Sequence, residues 1–340
     1  MLDRILKYSV KNKLIILFLT GIMAILGFYS LKNLNLDALP DITNNQIQVI
    51  TWAPDLSSSE VERFITVPSE LKLRNLPGLI ETRSISRFGL SIITLVFEDS
   101  KGIYLPRQLV SEKINELGSD LPENASPPMI APISTGLGEI YQYYLEINPS
   151  YNTKYSLEEL RTIQDWVIKK QLSGIEGVVE INSFGGKVKQ LEISLNPNKL
   201  NEYELSIEDI LPVLSQNNFN IGGAYIEKGP NNIFIKSEGL IQNPEDFKQL
   251  LVKNINGIPL KLGEVAEINF SSSPRFGALT ANGNSEVVGG IIMMLKGSNP
   301  GNVIPEVEKR VEQINKNLPE GIQIKSYLNR EDFISRTINT

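Results

Sequence analysis

Hydrophobicity along the chain runs first as one unbroken stretch and then as two alternating periods. Leu14–Leu31 holds eighteen residues without a charge. Coiled as a helix it is about 27 Å long at ~1.5 Å per residue, close to the hydrocarbon thickness of a bilayer. After a polar exit, "LNLDALPDIT" (34–43), period two takes over in "QIQVITW" (46–52), which predicts a strand. Ser57 and Glu60 have capping-box spacing, and Val61, Phe64, Ile65, Pro68 and Leu71 share a helical face behind them, with a kink expected at Pro68. "NLPG" (75–78) ends that helix. "LIETRSIS" (79–86) and "SIITLVFE" (91–98) predict strands joined at "RFGL", and a helix near 104–118 carries a Val110, Ile114, Leu117 stripe. With one more strand, this order makes a split βαβ, or ferredoxin-like, unit.

The pattern then recurs. "EIYQYYLEI" (139–147) predicts a strand, Ser156 and Glu159 a second capping box, and Leu157, Leu160, Ile163 and Val167 a second stripe. "GVVEINSFG" (177–185) parallels "GLIETRSISRFG" (78–89), with Gly177 lying 99 residues after Gly78. "VKQLEISL" (188–195) is expected to answer "SIITLVFE". A helix over 206–217 places Ile207, Ile210, Leu211 and Leu214 inward, and 219–273 reads as a small β-rich insert. The larger unit resumes at "RFGALTANG" (275–283). A strand, "EVVGGIIMMLKG" (286–297), is followed by a helix over 301–318 with Ile304, Val307, Val311, Ile314 and Leu318 on one seam, and by a last strand, "GIQIKSYLN" (321–329). The expected fold class is α+β: one N-terminal transmembrane helix, then two ferredoxin-like units with a small β-rich insert in the second. The expected boundaries are 1–33, 34–133, 134–218, 219–273, 274–330 and 331–340.

Composition narrows the chemistry. The 340 residues include no cysteine and no histidine, which excludes Cys/His zinc sites and Cys- or Ser–His nucleophile systems. No spaced carboxylate or Ser–Lys constellation replaces them, so the chain does not read as an enzyme and implies no cofactor. The net charge of -6 is uneven, because Arg4, Lys7, Lys11 and Lys13 against Asp3 make the head basic and leave the body acidic. A basic head, an apolar run and an acidic body predict a cytoplasmic N-terminus and a body across the membrane. An acidic body also argues against nucleic acid. The exit "GFYSLKNLN" lacks a small-x-small cleavage pair, and Tyr29 stands where an interfacial aromatic belongs. Both favour a retained anchor over a cleaved leader or a buried core helix.

Four stretches, "DALPDIT" (37–43), "EVERFITVPSELKLRNLPGLIETRSISRFGLSIITLVFEDS" (60–100), "PISTGLGEIYQYYLE" (132–146) and "NNFNIGGAYIEKG" (217–229), resemble the RND (resistance-nodulation-division) efflux permeases. "RSISRFGLS" and "PISTGLGEIYQY" resemble the heavy-metal branch, of the cobalt-zinc-cadmium and copper-silver type. The resemblance covers nearly the whole chain but only the N-terminal third of such a permease. It implies a first transmembrane helix in the inner membrane, two periplasmic porter subdomains and a docking insert in the second. It also implies proton-driven export of heavy-metal cations by a homotrimer that meets a periplasmic adaptor and an outer-membrane channel. The family's proton-relay carboxylates and best-known metal-binding methionines belong to regions beyond Thr340. The chain is thus expected to be a truncated gene product, a split subunit or a cut piece, single-pass in this stretch, supplying cleft walls and docking surface. The metal is not legible. The alternative is a single-span anchored adaptor or interaction module, against which stands the absence of three sustained heptads.

Individual candidates divide between functional and plain readings. Asn220, Gly222, Gly223, Tyr225 and Ile226, in a predicted hairpin over 221–236, read either as a docking and oligomer-contact edge or as an ordinary hairpin. Met293 and Met294 offer thioethers for a soft ion, but neighbours in a strand face opposite ways, so core packing is the better reading. Met129 reads as a loop contact. "SFGGK" (183–187) lacks the first glycine of a phosphate loop, the position being Ile181, and reads as a turn. "GLGE" (136–139) reads as a flexible lead-in. Glu98, Asp99, Glu306 and Glu308 either concentrate cations or are solvated acidic positions. No metal-ligand set is assigned.

Overall fold

The structure is a computed structural model, and it describes residues 10–32, 43–117, 121–151, 154–219, 221–228, 231–237, 239–241, 243–255, 257–275, 277–283 and 285–331. The exit over 34–42, Asn220, Gly229 and the run-in from 332 onward lie outside the described residues. Two compact units emerge. The first holds the described parts of Met1–Glu146, Ile168–Ser183 and Gly289–Thr340; the second holds those of Ile147–Val167 and Phe184–Val288.

The apolar run forms α1 (Lys13–Lys32), whose side chains from Leu14 to Tyr29 are exposed. Among the described residues no helix is long and apolar enough to cross a membrane.

The first unit continues with β1 (Asn45–Trp52) and then α2, made of Ser58–Val61, a π-helical turn Glu62–Thr66 and Val67–Leu73. β2 (Leu79–Arg87), β3 (Leu90–Phe97), α3 (Tyr104–Leu117) and β4 (Met129–Ile130) follow. The sheet order is β2-β3-β1-β4, with β1 antiparallel to both β3 and β4. Alternation along β1 turns Ile47 and Val49 inward, where they meet Leu73, Ile93, Leu95, Phe97, Val110 and Ile114 in one core. Each such side chain contributes about 1.5–3 kcal/mol on burial. The α3 stripe is buried as its spacing predicts.

The α2 stripe is not. Val61 and Ile65 are buried, but Phe64 and Leu71 are exposed, and Thr66, Ser69 and Leu73 take the inward positions instead. The π turn fits an extra residue into the helix, so every position after it is rotated by about one residue. Pro68 falls second in the segment that restarts after this turn, where its missing N–H breaks nothing further.

The chain then forms β5 (Glu139–Ile147), α4 (Leu157–Ile163, a π turn Gln164–Ile168, and Lys169–Leu172) and β6 (Val178–Phe184). A long excursion follows: β7 (Lys189–Leu195), α5 (Pro197–Glu202), α6 (Ile207–Gln216), β8 (Ile221–Lys228) and β9 (Asn231–Ser237). Next come α7 (Pro244–Lys248), β10 (Leu251–Ile255), β11 (Ile258–Lys261), α8 (Leu262–Val265), β12 (Ala266–Ser272), β13 (Leu279–Ala281) and β14 (Ser285–Val287). β15 (Gly289–Met294), α9 (Pro300–Asn317) and β16 (Ile322–Asn329) close the chain. The second four-stranded sheet has the order β16-β5-β15-β6. It repeats the first, with β5, β6, β15 and β16 in the places of β1, β2, β3 and β4.

Two expectations are corrected here. β7 does not answer β3; it pairs with β12 along its whole length, Lys189 opposite Ser272 and Leu195 opposite Ala266. β15 takes the β3 place, so the excursion from the second sheet runs from Gly185 to Val288 instead of from 219 to 273. An alternating strand declares its buried face but not its partner, and β7 has the same period as β3. Its partner is fixed by a separate core, in which Leu200, Leu205 and Ile210 meet Phe247, Leu260, Leu262, Val265 and Ile268. Inside this second unit only half of the predicted α6 face is covered. Ile210 is buried, while Ile207 and Leu211 are exposed. In α4 the π turn again shifts the buried set: Leu160, Gln164 and Ile168 are inward and Val167 is exposed.

Candidate functional site

In the second unit, β8 and β9 form an arm. They pair antiparallel with each other and, among the described residues, with no other strand. Gly222 stands opposite Lys236 and Tyr225 opposite Phe234, so β8 carries one extra residue between them, a bulge at Gly223–Ala224. A bulge increases local twist and bends the strand. Beyond it Tyr225 and Ile226 are 51% and 54% exposed. At the base, the Ile241 N–H donates to Asn218 Oδ1 at 3.1 Å. A side chain at Gly239 would overlap the Phe219 carbonyl, so the two chain ends cross closely there. The structure thus places Gly222, Gly223, Tyr225 and Ile226 on one strand with open hydrogen-bonding edges.

In the first unit, a cavity of about 350 Å³ opens beside β1. Alternation along β1 turns Gln46, Gln48 and Ile50 toward it, opposite the core-facing residues. The link 131–136 supplies a second wall with Ser134 and Thr135, β6 contributes Glu180 and Asn182, β15 contributes Met293, and α3 contributes Arg107. Arg107 Nη1 donates to the Ala131 carbonyl at 2.7 Å. Burial draws this guanidinium below its ordinary value. The link is tied down on both sides: Lys296 N–H donates to Ile133 O at 3.1 Å, Met294 N–H to Gly138 O at 2.7 Å, and Lys296 Nζ to Thr43 O at 2.9 Å. Arg330, largely buried, also donates to the Leu137 carbonyl.

The remaining candidates separate clearly. Met294 is buried in the core and Met293 faces the cavity, the opposite orientations expected of strand neighbours. Met129 is exposed on β4, opposite Ile50. "GLGE" is no flexible lead-in. A side chain at Gly138 would press on the carbonyls of Thr135 and Met294, so glycine there permits a close crossing of backbones. "SFGGK" forms the turn out of β6, with Gly185 and Gly186 at φ of 68° and 66° and Lys187 paired with Glu158. Glu98 accepts from Ser100, Glu306 pairs with Lys309 and Glu308 accepts from Asn329. Among the described residues no group of three acidic side chains is gathered for a metal ion. Sequence reasoning missed the cavity, since its walls come from positions between 46 and 293. The one local signal was the polar face of β1.

A family model described as the AcrB/AcrD/AcrF family matches residues 5–340. Over its whole length the chain is 42% identical to "Protein HelA" of Legionella pneumophila. It is 38% identical to "Cobalt-zinc-cadmium resistance protein CzcA" of Cupriavidus metallidurans and 32% identical to "Cation efflux system protein CusA" of Escherichia coli. Each match covers 32% of the relative, so the chain spans about a third of the length of these proteins. Among solved structures, a crystal structure of a heavy metal efflux pump superposes with a TM-score of 0.87 at 32% identity, over 97% of this chain and 33% of that one.

Proposed function

The chain belongs to the AcrB/AcrD/AcrF family, and from that premise we propose that it is part of a proton-driven inner-membrane RND permease that exports heavy-metal cations. The observation that carries this reading is the match over this chain's whole length, at 32–38% identity, to relatives whose names include cation efflux and cobalt-zinc-cadmium resistance. The motor lies in other parts of such a protein. This part acts as a secondary transporter segment and not as an enzyme. α1 anchors it with the N-terminus in the cytoplasm, its lysines flanking an exposed apolar face. The two repeated sheets form ferredoxin-like porter subdomains in the periplasm. The excursion over 185–288 forms the docking module, with the β8–β9 arm presenting Tyr225 and Ile226 to a neighbouring protomer of a homotrimer, and adaptor and outer-membrane channel as further partners. A membrane potential of 100 mV supplies about 2.3 kcal/mol per proton to such a cycle.

The test is a deletion of the complete gene in its host, followed by growth on a panel of cobalt, nickel, zinc, cadmium, copper and silver salts. The expected result is a lower tolerated concentration and a higher cell content of at least one of these cations, both restored by the full-length gene. Unchanged tolerance and content across the whole panel would overturn the reading.

A further inference from the structure

The link from β4 to β5, residues 131–138, accepts hydrogen bonds along most of its length. Ala131 O accepts from Arg107 Nη1 at 2.7 Å, Ile133 O from the Lys296 N–H at 3.1 Å, Leu137 O from Arg330, and Gly138 O from the Met294 N–H at 2.7 Å. Between these pinned carbonyls lies the part of the link that walls the cavity, Ser134–Gly136. Gly136 is exposed, and a Cβ there would meet nothing within 4 Å.

Two of the grips come from places where the chain enters and leaves the sheets. Lys296 follows β15 in a turn fixed by the Leu295 N–H on Gly177 O at 2.8 Å and the Ser298 N–H on Leu295 O at 3.1 Å, with Gly297 at φ 86°. While its backbone holds the link, its ammonium donates to Thr43 O at 2.9 Å and Asn44 O at 3.5 Å, 253 and 252 residues away in sequence. Those two carbonyls lie on the lead-in from α1 to β1. Among the described residues this ammonium makes no ion pair, so what it fixes is the position of the lead-in. Arg330 stands directly after β16, where the chain leaves the second sheet, and is 8% exposed. Only three residues separate the carbonyls held by Lys296 and Arg330. The Gly138 N–H closes even that short span by donating to Thr135 O at 2.8 Å. A segment pinned so closely has few dihedrals left to absorb a pull, and packed surroundings pass displacement on.

We propose that the link 131–138 is a mechanical strap. It couples the chain entering the first unit at 43–44 to the chain leaving it at Arg330, and displacement of either end moves the cavity wall at Ser134–Gly136. That both ends lead to membrane segments rests on the export reading above; the coupling between them does not.

The experiment is hydrogen exchange of the full-length protein in lipid nanodiscs, read by mass spectrometry. Lys296→Met removes the ammonium and keeps the backbone N–H that holds Ile133. Protection should fall about tenfold at 43–45, the effect of losing one charge-assisted hydrogen bond. It should fall also at 131–138 and 329–331, which that ammonium does not touch. Lys296→Arg should restore most of it. Arg330→Gln should loosen 131–138 and, in return, 43–45, because coupling is reciprocal. A nitroxide pair at Gly136→Cys and Asn75→Cys, two exposed positions, reports the wall itself. Any cysteine elsewhere in the full-length protein is replaced beforehand. The distance distribution of the pair should broaden in Lys296→Met and narrow again in Lys296→Arg, with thermal melting unchanged. Loosening confined to 43–45 in Lys296→Met and to 137–138 and 329–331 in Arg330→Gln would show two separate local ties and overturn the proposal. So would unchanged protection in both variants, or a general loss of protection with a lowered melting temperature, the mark of an ordinary stability residue. None of these readouts involves growth on metal salts, so failure of the strap and failure of the export reading are seen separately.

Discussion

At the scale of single residues, a tightly held polar side chain is Thr66 in the π turn of α2. It is 2% exposed, and its hydroxyl lies 2.8 Å from Ser86 Oγ on β2 and 2.8 Å from Ser91 Oγ on β3. Ser91 is itself 1% exposed, so removing the Thr66 hydroxyl leaves a buried group unpaired. Thr66→Val should therefore lower stability by about 1–3 kcal/mol, read from the urea midpoint, with Thr66→Ser costing much less. Gly185 is a second such position. Its φ of 68° disfavours any side chain, and a Cβ there would overlap the Val287 carbonyl. Gly185→Ala should cost more than about 2 kcal/mol. Gly102→Ala, at φ 63° and ψ −172° with open space around it, meets backbone strain alone and should cost about 1–3 kcal/mol by the same measurement. The turn at Gly185 was legible in "SFGGK" because turn chemistry is local. The Thr66 hydroxyl pair and the cavity were not, because Ser86, Ser91, Thr135 and Glu180 reach their places only through the sheets.

At the scale of elements, helix starts were legible and helix faces were legible only in part. Ser57 with Glu60 and Ser156 with Glu159 form the two capping boxes that their spacing predicts. Both helices then pass through a π turn, which no propensity announces, and that turn moves the buried face off the simple stripe. α3 and α9 have no such turn and keep Val110, Ile114, Val307 and Val311 where period 3.6 puts them. Ser57→Ala or Ser156→Ala should each destabilise by about 1 kcal/mol, seen as a shifted melting curve. The first box also sets a pH response. The Ser57 hydroxyl, and then its backbone N–H, hold the Glu60 carboxylate below its ordinary range. A carboxylate depressed in the fold stabilises it above the unfolded value, about 4.3, and loses that contribution as pH falls through the folded value. The exchange protection factor of the Val61 amide should fall below about pH 4, and Ser57→Ala should abolish that pH dependence; an unchanged profile in the variant would count against the box.

At the scale of the whole chain, the duplication was legible because it lies in order and not in detail: strand, helix, strand, strand, helix, strand, twice. The size of the excursion was not, because β7 imitates the missing third strand of the second copy. Topology makes the corrected boundary testable. β6 and β15 are neighbours in the second sheet, just as β2 and β3 are in the first, where Phe88 and Gly89 alone connect them. The excursion also leaves and returns at one place, since Cβ atoms built on Gly185 and Gly186 would collide with Val287 and Val288. Replacing residues 185–288 by a two-residue Asn-Gly turn should therefore leave the second sheet closed as a hairpin-joined copy of the first. The deletion has a definable cost, because Arg161 loses the Gly185 carbonyl that it holds at 2.7 Å and keeps Asp165 at 2.8 Å. That is about 1.5–3 kcal/mol for a charged hydrogen bond, small beside a buried set that includes Ile140, Tyr143, Ile181, Ile292, Ile304 and Val307. The shortened full-length protein should insert and melt cooperatively, with β5 and β15 amides protected from exchange. Cutting at the originally expected boundaries, 219–273, leaves β7 without β12 and Leu200 and Ile210 without their core partners, so that variant should aggregate. If the two deletions behave alike, β7 belongs to the second sheet after all and the repeat has been drawn in the wrong place.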